Sequence, residues 1–270
     1  MRDLPRHADV VVVGAGLSGL AAAIRLSGAG LDVRILDSAD AVGGRVRTDV
    51  VDGLRLDRGF QVYNTAYPES ARLLDHEALD LRAFVPGALV WVDGRRHLVA
   101  DPRRRPLDAV GTLRAPIGTL ADKLRLAQLA AEDALLPVDR LLHRPERTTY
   151  DELRARGLSP TVIERFFRPF LSGIFLERDL TTSSRFFDLV FRTFARGDLA
   201  VPATGMAAIP EQLAAGLPAD SLHLRTAVRS LDAKGVDTDA GRVSARAVVV
   251  ATAAPAAADL LPGLDVPRMN

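Results

Sequence analysis

Along the first forty residues the apolar positions run first without a break and then at helical spacing. Asp9-Val10-Val11-Val12-Val13 is a β-branched run that ends on Gly14, the pattern of a buried parallel strand. Residues 17–28, rich in Ala and Leu, predict a helix closed by Gly28 and Gly30. Asp32 to Leu36 predict a second strand, and strand, glycine turn, helix, strand is a βαβ unit. Residues 46–62 predict an extended hairpin with its turn at Asp52-Gly53. Between residues 66 and 200 the spacing turns helical, as at Leu120, Leu124, Ala127 and Ala131, with prolines breaking it at intervals. Strand-like text returns at 222–231 and 243–251, an alternating run and a continuous one, which reads as the opening sheet resumed. The expected fold class is α/β: a Rossmann-like domain with a parallel sheet, residues 1–65 and 201–270, interrupted by a mostly helical insertion over residues 66–200.

Composition narrows the classes without naming one. With 270 residues, 48% hydrophobic and 26% charged, the chain suits one large or two ordinary globular domains. A net charge of +1 gives no reason to expect a nucleic-acid partner. The absence of cysteine excludes disulfides, thiolate metal sites and a sulfur-tethered flavin within this chain, and it fits a cytoplasmic protein. His7, His76, His97, His143 and His223 are scattered, so no metal is expected. No apolar run approaches a membrane span, and the opening Met1 to His7 is too polar for a secretory signal.

Chemistry enters at Gly14-Ala15-Gly16-Leu17-Ser18-Gly19, a G-x-G-x-x-G between predicted strand and predicted helix. Gly14 makes the tight turn, Gly16 lets the backbone approach a pyrophosphate, and Gly19 lets the helix pack on the sheet. The helix start offers free N–H groups and a partial positive charge to phosphate. Asp37, eighteen residues after Gly19, ends the second strand where a carboxylate accepts bonds from ribose hydroxyls. A charged hydrogen bond there contributes roughly 1.5–3 kcal/mol. A structural glycine turn in an ordinary βαβ unit is the plainer reading of the first cluster alone, and a nicotinamide dehydrogenase is the other reading by fold.

A second cluster, Gly43-Gly44-Arg45, follows six residues after the acid, and Gly59-Phe60-Gln61-Val62 comes soon after. Two glycines let backbone pass close to a ligand, and an arginine offers a planar donor fork to phosphate. Together these stretches resemble the N-terminus of flavin-dependent amine oxidases, protoporphyrinogen oxidases and phytoene desaturases. By that resemblance the cofactor is FAD, with Gly43, Gly44 and Arg45 on its pyrophosphate and Gly59 to Val62 beside the flavin ring. The resemblance implies a backbone contact from Val228 to adenine. It also implies a second crossing near the nucleotide at Ala251-Thr252, where Ala253 replaces the usual glycine. It is specific over about 1–65 and 220–255 and looser between.

Eight of the ten phenylalanines fall between residues 166 and 194, and Phe187, Phe191 and Phe194 share a helix face. Most are expected to be core, with one or two lining a pocket for an apolar substrate. Arg168 within this run is either a cation near the site or a cap. The basic stretch at 101–106, with Arg95 and Arg96, is read as a solvated loop, with peripheral contact to an anionic membrane surface or an acidic partner as its other reading. No catalytic residue is assigned. The chain ends at "LPGLDVPRMN" without the family's closing glycine-acid motif. The expectation is a truncated member, a fragment, or one partner of a split enzyme whose partner chain supplies the missing segment. The function implied is an FAD-dependent oxidoreductase acting on an apolar or amine-bearing small molecule. A flavin-dependent isomerase or mutase, and a non-catalytic binding partner, stand as alternatives.

Overall fold

The computed structural model describes residues 4–266; the outer ends of the expected first domain, residues 1–3 and 267–270, lie outside them. The chain forms two compact units. One comprises the residues up to Tyr63, Glu69–Arg82 and the residues from Val201 on; the other comprises Asn64–Pro68 and Ala83–Ala200.

In the first unit, β1 (His7–Val13) leads into helix α1 (Leu17–Gly28) and β2 (Val33–Leu36). A two-stranded hairpin follows, β3 (Thr48–Val51) and β4 (Leu54–Asp57). Helix α2 (Ala208–Ala215) precedes β5 (Leu222–His223), β6 (Val228–Asp232), β7 (Gly235–Thr238) and β8 (Gly241–Val250). The six-stranded sheet has the order β5-β2-β1-β8-β7-β6. Its first four strands are parallel, with Val11 opposite Arg34 on one side and Val248 on the other. Strands β7 and β6 close it as an antiparallel hairpin.

The unbroken valine run follows from burial on both faces. Val10 and Val12 pack with Leu20 and Ala23 of α1, while Val11 and Val13 pack with Val236, Val243 and Ala245. Each such valine contributes roughly 1.5–3 kcal/mol by leaving water. At the β3–β4 turn Asp52 and Gly53 both take positive φ, +50° and +79°, the geometry that matches the twist of a tight hairpin. The strand text at 222–231 divides into β5 and β6, separated by Arg225 at φ +53°. Leu79 and Leu81 pack with Val46, Met206 and Ile209, which is why Glu69–Arg82 belongs with the sheet unit.

The second unit is mostly helical. Thr119 caps the helix Leu120–Leu135 in a reciprocal box with Asp122, and that carboxylate also accepts from the amide and hydroxyl of Ser159, each at 2.8 Å. Burial would raise the Asp122 pKa, but the amides and hydroxyls of Ser159 and Thr119 outweigh it and hold it at about 2. Asp133 and Asp188 are buried around Arg144, whose guanidinium lies 2.9 Å from one and 2.6 Å from the other. Burial and the neighbouring Asp188 charge push the Asp133 pKa up to about 7. Phe167 and Phe187 are fully buried in the main core of this unit, with Leu153, Leu158 and Leu171.

An antiparallel hairpin, Gly87–Val92 with Arg95–Ala100, interrupts the stretch expected to be helical. Its turn, Asp93-Gly94, repeats the paired positive φ of Asp52-Gly53, at +50° and +76°. The arginines of the 101–106 stretch are paired: Arg103 with Asp101, Arg104 with Asp198 and Arg105 with Asp108. Arg168 pairs with Glu164 at 2.7 Å.

Candidate functional site

The carboxyl end of β1 lies between β2 and β8, the strand-order position at which parallel α/β sheets bind ligands beyond the strand ends. Residues 14–19 turn there. Gly14 adopts φ +108°, and a Cβ on it would sit 2.9 Å from the Ala251 carbonyl oxygen. A Cβ on Gly19 would sit 1.9 Å from the Gly14 carbonyl oxygen, so the first turn of α1 rests directly on the strand exit. Gly16 differs from both. Its backbone is extended, at φ −73° and ψ 177°, which any residue can adopt, and a Cβ there would meet nothing within 4 Å. Leu17 and Ser18 follow as exposed residues of the first turn. No side chain caps that helix start.

The second glycine cluster folds back onto the first. The Gly43 amide donates to the Ala15 carbonyl at 2.9 Å, and Gly43 bridges Gly16 as a short parallel pair. Gly43 needs to be glycine for the fold, at φ +107° with a virtual Cβ 2.2 Å from the Val46 carbonyl oxygen. Gly44, at φ +59°, lies over Gly16 with its virtual Cβ 3.6 Å from the Gly16 Cα. Arg45 is exposed, and its guanidinium pairs with no carboxylate among the described residues. Gly59 packs against its backbone, with a virtual Cβ 2.7 Å from the Arg45 carbonyl oxygen. Phe60, Gln61 and Val62 continue as an exposed stretch.

Asp37 closes the ring of loops. Its carboxylate accepts from the Ala15 amide at 2.6 Å and the Ala39 amide at 2.7 Å. An ionised carboxylate has about four acceptor positions, so two remain for further donors. The Thr226 amide donates to the Asp37 carbonyl and the Arg225 amide to the Ala39 carbonyl, both at 2.8 Å, which brings the segment leading to Val228 beside the acid. The Ala251 amide donates to the Val13 carbonyl at 2.8 Å, setting Ala251 and Thr252 against Gly14. The Thr252 hydroxyl is buried without a hydrogen-bond partner among the described residues.

The sequence reading missed the amides of Ala15 and Ala39 on Asp37, and Arg225 beside it. Nothing in residue type marks an amide as a partner, and Arg225 at positive φ has no sequence signal. Among the described residues no group of three His, Asp or Glu side chains could hold a metal ion. No helix among them is long and apolar enough to cross a membrane.

The open Gly16, the uncapped α1 start and Arg45, unpaired among the described residues, are the features that suit a phosphate-bearing ligand. Gly16 is a glycine that neither its extended backbone nor any atom within 4 Å of its Cβ position requires. The α1 start next to it has no side-chain cap.

Comparison with known proteins agrees. The family model described as flavin containing amine oxidoreductase matches residues 17–269. A coproporphyrinogen III oxidase of Propionibacterium freudenreichii subsp. freudenreichii is 31% identical over 180 residues, covering 63% of this chain and 32% of that protein. A hydroxyneurosporene desaturase of Rubrivivax gelatinosus is 48% identical over 124 residues, 43% of this chain and 23% of its own length. A redesigned putrescine oxidase superposes with a TM-score of 0.65 at 23% identity, covering 98% of this chain and 62% of that one, a likeness of fold. The chain thus spans less than two thirds of the relatives it matches. With the family model matching nearly its whole length, the chain belongs to the flavin-containing amine oxidoreductase family.

Proposed function

We propose that the sheet unit binds FAD and that the chain serves a flavin-dependent oxidation of a C–H or C–N bond in an apolar or amine-bearing small molecule. Gly16 carries this reading, because its open face is where a pyrophosphate would lie against backbone. The amides of the α1 start and the Arg45 guanidinium would hold the diphosphate. Asp37 would accept from the adenosine ribose with the acceptor positions that Ala15 and Ala39 leave free. The Val228 backbone would meet adenine. Gly43 and Gly44 would lie along the diphosphate, Gly59 to Val62 would border the isoalloxazine side, and Ala251 and Thr252 would flank the nucleotide.

Bound flavin supplies the hydride acceptor, so this chain's residues have only to position substrate and exclude water. The helical unit is the proposed substrate domain, and its aromatic side chains suit an apolar ligand. We also place the protein in the cytoplasm, a reading that cell fractionation tests. The functional test is a fluorescence titration with FAD, FMN and NAD. FAD binding at least about tenfold tighter than either, the equivalent of 1.4 kcal/mol, is the expected order. Equal affinity for NAD would return the fold to the nicotinamide class.

A further inference from the structure

The helical unit holds a cavity of about 510 Å³, within the roughly 300–1,000 Å³ that small-molecule sites occupy. Phe166 and Phe170 line one wall and Phe191 and Phe194 another, while Ala127 and Ala131 leave the space open on the side of helix Leu120–Leu135. Leu120 and Leu124, each 64% exposed, stand at its rim, so the cavity communicates with solvent.

One charge on its wall is uncompensated. Asp101 pairs with Arg103 at 2.7 Å, and Arg104 with Asp198 at 2.8 Å. Lys123, one of two lysines in the chain, meets no carboxylate among the described residues. Its ammonium donates to the Leu113 and Ala115 carbonyls, the latter at 2.8 Å, which leaves one of three N–H donors free. Burial lowers the Lys123 pKa, and no neighbouring anion opposes that shift. A single point charge without an arginine fork suits a monoanion, and it disfavours a cationic guest.

We propose that this cavity is a binding site for an apolar carboxylate, with the chain among the phenylalanines and the carboxylate on Lys123. The site lies wholly within the helical unit and does not depend on the flavin reading.

The test is displacement of dansyl-labelled undecanoic acid from the full chain by decanoate, decanol and decylamine. Decanoate should displace the probe at about a tenfold lower concentration than decanol, the low end of what a charge-assisted hydrogen bond contributes, with decylamine the weakest. Lys123→Met should remove the advantage of decanoate and leave decanol unchanged. Ala131→Phe should fill the cavity and weaken all three. No binding of the probe, or equal displacement by the three competitors in the wild-type chain, would overturn the proposal. An advantage for decanoate that survives Lys123→Met would overturn the role of the lysine. Should Lys123→Met fail to fold, the wild-type ranking and Ala131→Phe still decide.

Discussion

Gly16 and Gly19 lie three residues apart in one motif, and the structure assigns their substitutions opposite consequences. For Gly19→Ala, the added Cβ would start 1.9 Å from the Gly14 carbonyl oxygen, against about 3.4 Å for ordinary contact. Strand exit and helix would have to separate by more than an ångström, through a core that includes Val12, Leu20 and Ala23. Overpacking of this kind costs roughly 1–3 kcal/mol, which lowers the melting temperature by roughly 2–12 °C in a chain of this size. For Gly16→Val the added Cβ meets nothing within 4 Å, and the extended backbone accepts a β-branched residue. Its melting temperature should fall by no more than roughly 1–4 °C, since Gly16 is the N-cap of α1 and replacing a favoured residue there costs on the order of 0.5–1 kcal/mol. FAD binding should nevertheless fall at least tenfold, because the side chain occupies the space assigned to the pyrophosphate. Thermal melting by circular dichroism and a flavin titration on the same samples separate the two effects. A Gly16→Val variant that binds FAD normally, or a Gly19→Ala variant that melts with the parent, would refute the steric argument.

Further outcomes follow from the charges. Arg45→Met should weaken FAD binding more at low salt than at high salt, with no change in melting, as a titration at two ionic strengths would show. Asp122→Ala should cost about 1–3 kcal/mol, since it removes the buried carboxylate that accepts from the amides of Thr119 and Ser159. The Asp122 pKa of about 2 is depressed, so its contribution is present above about pH 4 and is lost as pH falls toward 2; the acid limb of the variant should be flatter. Asp133 has the opposite sign. With its pKa raised to about 7, the fold favours the neutral acid, so stability falls as pH rises from about 4 to 7. Asp133→Asn should flatten that slope and leave the variant no less stable than the parent at pH 8, measured by urea unfolding.

Much of the sheet unit was legible because its signals are steric. A valine run buried on both faces, a helix ending at glycine and an Asp-Gly turn each permit few alternatives. The two glycine clusters were visible as well, but their meeting at Gly16 and Gly43 is a tertiary fact that spacing does not reveal. The hairpin at Gly87–Ala100 carried the same Asp-Gly signal as the first and was hidden by the surrounding prolines and helical text. The division at Arg225 had no signal, since an arginine at positive φ is held there by its neighbours. Phenylalanine spacing did not separate core from cavity: Phe187 is fully buried, while Phe191 and Phe194, on the same helix face, line the open space. What distinguishes them is the pair of alanines opposite, on another helix.

The most direct test of the flavin reading is the visible absorption spectrum of the purified chain after incubation with FAD and gel filtration. The account predicts flavin bands that travel with the protein at close to one per chain and are lost in Gly16→Val. A folded chain that elutes colourless from excess FAD would contradict it.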